Sequence, residues 1–69
     1  MHIIKINTEY ITIGQLLKYV HIISSGAEAK VYLQNNKVVV NDDEETRRGR
    51  KLYRGDIVLI GDNKYRIQS

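Results

Sequence analysis

No cysteine occurs among the 69 residues, so the chain forms neither disulfides nor thiolate zinc sites. A reducing compartment suits that composition, and a cytoplasmic location is the expectation. No apolar run approaches the roughly 20 residues needed to span a bilayer. The opening Met1-His2-Ile3-Ile4-Lys5 lacks the long apolar stretch and small-residue cleavage site of a secretion signal. A soluble chain without a membrane partner is therefore expected. Phenylalanine and tryptophan are missing too, leaving five tyrosines as the only aromatics, so some tyrosines must serve packing. A chain this short makes one domain, spanning 1–69; such domains bury only about 60% of their unfolded surface and are marginally stable.

Catalytic chemistry is equally poorly supplied. His2 and His21 stand far apart, and no serine–carboxylate arrangement of familiar spacing accompanies them. Gly49-Arg50-Lys51 lacks the flanking pattern of a phosphate loop. The acidic run Asp42 to Glu45 could attract magnesium but lacks the alternate spacing of a calcium loop. A non-enzymatic protein without cofactor or metal is expected.

What is present is segregated charge. Eleven Lys and Arg face eight Asp and Glu, a net of +3. Five of the cations, Arg47, Arg48, Arg50, Lys51 and Arg54, fall within residues 47–54 with no acid among them. Residues 42–45 are all acidic. A divided field of this kind can draw in a polyanion despite a small total charge.

The local patterns predict an α+β domain: an N-terminal strand, an αα-hairpin, then a small, mostly antiparallel sheet. His2 to Ile6 alternates loosely and reads as a strand, followed by a linker over 7–10. Thr12 with Gln15 forms a capping box, and Ile11 can staple onto Leu16. Ile13, Leu16, Leu17 and Val20 repeat at helical spacing. Gly14 weakens that helix by about 1 kcal/mol against alanine, which suggests a close approach. Ser25 with Glu28 repeats the capping pattern, predicting a second helix from Ser25 to Gln34. Asn35-Asn36 tolerates the left-handed conformation that often closes a helix. Val38-Val39-Val40 reads as a strand and Asn41 to Glu44 as turn chemistry. Residues 45–52 fit either an edge strand or an extended loop. Ile57 to Ile60 and Tyr65 to Gln68 read as strands joined by a turn at Gly61 to Lys64.

These features together resemble the S-four RNA-binding domain, the family named for small-subunit ribosomal protein four. That family has a helical hairpin followed by a strand ending Val-x-Val-Asn-Gly, and a later Gly-Asp opening another apolar strand. The corresponding residues are Thr12 to Val20, Ser25 to Leu33, Val38 to Asp42 and Gly55 to Ile60. Glu28-Ala29-Lys30 with Arg47-Arg48-Gly49-Arg50-Lys51-Leu52 resembles the small stand-alone bacterial members. The resemblance covers roughly Ile11 to Ile60. It implies binding of structured RNA, ribosomal or transfer, in ribosome assembly or translation, with ribosomal particles among the partners and a monomeric protein. Two departures stand out: Gly26 where the family usually has arginine, and Asp42 where it has glycine. Both shift the expected electrostatic contact towards Arg47 to Arg54.

Each candidate site residue also has a plainer reading. Ser25 and Gly26 either offer amides and a close backbone to phosphate, or simply cap a helix while Glu28 repels anions. Arg47, Arg48, Arg50, Lys51 and Arg54 either neutralise phosphates, arginine doing so through a bidentate fork, or protect a strand edge and pair with Asp42 to Glu45. Lys30 and Lys37 either extend the basic strip or are merely solvated. Asn41 either reads RNA or closes a turn through its own side chain. Tyr53, inside the basic run, can stack on an exposed base, whereas Tyr32 suits the core. Two other functions are open to such a surface: a protein-interaction or assembly module gripping an acidic partner, and DNA binding.

Overall fold

Thr12 is where extended chain becomes helix. Its backbone is extended (φ −89°, ψ 163°); its hydroxyl accepts from the Gln15 amide while the Gln15 side chain accepts from the Thr12 amide, at 3.2 and 2.8 Å. The capping box thus closes as the sequence predicts. In the computed structural model, which describes residues 1–69, nine elements follow in order. They are β1 (His2–Lys5), β2 (Tyr10–Thr12), α1 (Ile13–Tyr19), α2 (Glu28–Asn35), β3 (Val38–Val40), β4 (Asp43–Glu44), β5 (Lys51–Tyr53), β6 (Ile57–Ile60) and β7 (Asn63–Gln68). The fold class is α+β. None of its helices is long and apolar enough to cross a membrane.

Five strands form one sheet in the order β1-β7-β6-β3-β4, and β2 with β5 forms a separate ribbon. Within the sheet only β1 and β7 run parallel, with Ile4 opposite Ile67. Alternation gives the sheet a buried and an outer face: Val58, Ile60, Tyr65 and Ile67 turn inward, while Ile57 and Leu59 are half-buried. The inward set joins Ile13, Leu16 and Leu17 of α1, Ala29 and Leu33 of α2, and Leu52 of β5 in one cluster of 14 buried residues.

Three expectations are corrected. Tyr10 lies in strand β2 rather than in a linker, paired opposite Tyr53. The second helix begins at Glu28, three residues later than its capping motif suggests, and its cap position, Ala27, makes no side-chain cap bond. Glu28 instead takes hydrogen bonds from the Ser24 amide and hydroxyl and from the Ser25 hydroxyl. A carboxylate is the stronger acceptor, so it draws the serine protons to itself. At the other end Asn36 is extended (φ −137°), not left-handed; Asn35 and Asn36 cap the Val31 and Tyr32 carbonyls with their side-chain amides.

Candidate nucleic-acid interface

The basic segment is anchored before it is presented. An α-helix leaves its first amides without partners inside the helix, and in α1 the loop before β5 supplies partners for two of them. The Ile13 amide donates to the Arg50 carbonyl at 3.0 Å and the Gly14 amide to the Arg48 carbonyl at 2.9 Å. Gly14 sits at this contact: a Cβ there would meet the Arg48 carbonyl oxygen at 3.4 Å and the Ala29 Cβ at 3.6 Å, ordinary van der Waals distances that an alanine could fill. The two backbone hydrogen bonds thus dock the basic loop on α1, with Ala29 of α2 beside the same spot.

Inside the loop the cations divide into two groups. Glu45 is the one buried charged residue, 7% exposed. Its carboxylate accepts from the Thr46 and Arg47 amides, from Arg47 Nε and Nη2, and from Arg50 Nη1, at 2.9–3.2 Å. The Arg47 guanidinium, then Arg50, hold the Glu45 carboxyl down at about 2, against the opposing effect of its burial. Arg47 and Arg50 thus share one carboxylate in a structural knot, which leaves one positive charge in excess and the Arg47 side chain 74% exposed. Of the four acids in 42–45, only Glu45 takes on this pairing.

Arg48 has no carboxylate partner and reaches across to the turn before α2, its Nη1 donating to the Gly26 carbonyl at 3.4 Å. It helps line a polar cleft with Thr12, Gln15, Lys18, Gly26 and Gly49. The start of the second helical segment and the cationic loop thus share a face. Lys18 is a member that sequence reasoning missed; its signal was its place four residues after Gly14, on the same side of α1. Gly26 faces open space, with nothing within 4 Å of where its Cβ would be.

The remaining candidates scatter. Lys51 projects from β5 with Nζ 4.8 Å above the Tyr10 ring centroid, and Arg54 is exposed in the turn beyond β5. Lys30 is exposed on α2. Lys37 lines a different cleft, beside Asn36, Glu44 and Thr46. Asn41 is committed to the fold: its amide nitrogen donates to Asp56 Oδ1 at 3.0 Å and its oxygen accepts from the Ile57 amide at 2.9 Å. Asn41 and Asp42 both carry positive φ, 50° and 75°, which marks them as turn residues. Ser25 is turned towards Glu28, whose carboxyl is held below the usual carboxylate range by Ser24. That carboxylate stands at the start of α2, whereas the cleft beside Arg48 is lined by no acidic side chain.

The strand order, the helix pair and this loop-to-helix docking define an S4 domain: the family model described as S4 domain matches residues 4–68, and the chain belongs to that family. The match extends the resemblance seen over Ile11 to Ile60 to nearly the whole chain. Among curated relatives, it is similar to the Probable ribosome maturation protein RlbA of Bacillus subtilis (strain 168). The two are 54% identical over 57 residues, 83% of this chain and 80% of that protein.

Proposed function

We propose that this chain is a non-catalytic RNA-binding protein acting in ribosome maturation, as a cytoplasmic monomer, on structured ribosomal RNA. The observation that carries the reading is the cleft where Arg48 and Lys18, neither in an ion pair, flank Gly26. Membership of the S4 domain family and the similarity to a ribosome maturation protein supply the class of partner. In mechanism, Arg48 and Lys18 take backbone phosphates, Lys51 and Arg54 extend the field, and the Glu45 knot keeps the loop in shape. The deep major groove of an RNA duplex is closed to side chains, so recognition follows shape and backbone more than base identity. Crosslinking the protein to RNA in cells and sequencing the attached fragments tests the assignment. Enrichment of ribosomal RNA is the expected result. Protein partners that persist after nuclease digestion, with no enriched RNA, would favour an acidic protein partner instead.

A further inference from the structure

We propose that the outer face of the β2–β5 ribbon is a stacking platform for one unpaired base of the bound RNA. The inference rests on the RNA-binding reading and names the kind of RNA: a duplex interrupted by a bulged or looped-out nucleotide. In the ribbon Tyr10 pairs with Tyr53, Ile11 with Leu52 and Thr12 with Lys51. Alternation sends Leu52 into the core, fully buried, and leaves Tyr10, Tyr53 and Lys51 outside. The two tyrosine rings lie 5.8 Å apart at 52°, exposed to 37% and 43%. Lys51 Nζ rests over the Tyr10 ring, placing a cation beside an aromatic face. That pairing suits a nucleotide, with its flat base and charged phosphate.

Position strengthens the case. Tyr10 borders an open hollow of about 870 Å³ whose wall includes Tyr19, Gln15 and Lys18. Gln15 and Lys18 also line the Arg48 cleft, so the hollow, with Glu9 its one acid, adjoins the cationic cleft and meets the ribbon at Tyr10. A backbone held at Arg48 and Lys18 would carry an extruded base onto the tyrosines. The plainer role of a Tyr–Tyr cross-strand pair is to hold a short ribbon together. That role does not require the 37% and 43% exposure the two residues keep, and the two roles separate on substitution.

The test uses two RNA hairpins with one stem sequence, one fully paired and one carrying a single 2-aminopurine bulge. Affinity is read by anisotropy and base stacking by 2-aminopurine fluorescence. The native protein is expected to prefer the bulged hairpin by about tenfold, the scale of one base–aromatic stack, and to quench its fluorescence. Tyr10→Leu/Tyr53→Leu should lose both effects while keeping its affinity for the paired hairpin. Tyr10→Phe/Tyr53→Phe should retain both, since phenylalanine keeps the ring. Should the leucine pair weaken folding, Tyr53→Leu alone must lower the preference and the quenching. Equal binding of the two hairpins by the native protein, or an unchanged preference in the leucine variants, overturns the platform and leaves RNA binding standing. Failure to bind either hairpin at low salt overturns both.

Discussion

Replacing Glu45 by glutamine separates the part of the basic segment that builds the fold from the part that faces outward. Glutamine keeps the shape but removes the charge that Arg47 and Arg50 share. A carboxyl held at about 2 instead of 4.5 contributes at most about 3.4 kcal/mol, taking 1.36 kcal/mol per tenfold change in acidity. Water screens much of this, because the Arg47 side chain is 74% exposed, and about 1–2 kcal/mol is the reasonable share. In a domain of 69 residues that lowers Tm by roughly 7–14 °C. Folding lowers this pKa, so the contribution is complete above about 4.5 and is lost as pH falls towards 2. Thermal unfolding followed by circular dichroism at pH 7, 4 and 2.5 should show a gap between native and Glu45→Gln protein that narrows steadily with acidity. A gap of the same size at pH 2.5 and 7, or none at pH 7, would refute the structural assignment of Glu45. The same variant frees two arginines, so its affinity for RNA at pH 7 should rise rather than fall.

Other consequences concern single glycines and the cleft. Gly55 has φ +92°, and its amide donates to the Ile67 carbonyl at 2.8 Å; Gly55→Ala should cost about 1–2 kcal/mol, seen as a lower urea midpoint with an unchanged slope. Gly26→Asp meets open space, so stability should hold while a carboxylate beside Arg48 weakens RNA binding about fivefold, measured by anisotropy. Asn41→Ala leaves the Ile57 amide without its acceptor and Asp56 with the Tyr53 amide alone. It should destabilise by about 1–3 kcal/mol yet leave RNA affinity per folded molecule unchanged, as titration at low temperature can check.

The elements most legible in the sequence are those whose causes are local. Helix α1 declares itself because Thr12, Gln15 and the Ile13-Leu16-Leu17 stripe lie within a few residues. Strand β2 does not, since three residues carry little periodicity and the partner, β5, comes from the other half of the chain. The start of α2 is misplaced by its own motif: Ser25 and Glu28 have capping-box spacing, but the serine hydroxyls donate to the carboxylate instead of accepting from amides. Within the basic run, composition marks the segment but not its division of labour. Which arginines stay free depends on how Glu45 is buried and on the loop carbonyls meeting the amides of α1. Lys18 shares a side of α1 with Gly14, a local signal, but its place beside Arg48 depends on that same docking.

The most direct measurement of the central claim is the salt dependence of affinity for a structured ribosomal RNA fragment. Four outward cations, Arg48, Lys18, Lys51 and Arg54, correspond to a slope of log K against log salt of about −3 to −4. Arg48→Gln/Lys18→Gln should make it shallower by about 1.5–2, whereas Arg47→Gln should change it little. A slope that Arg47→Gln flattens and the Arg48/Lys18 pair leaves alone would contradict the cleft as the place where RNA backbone is held.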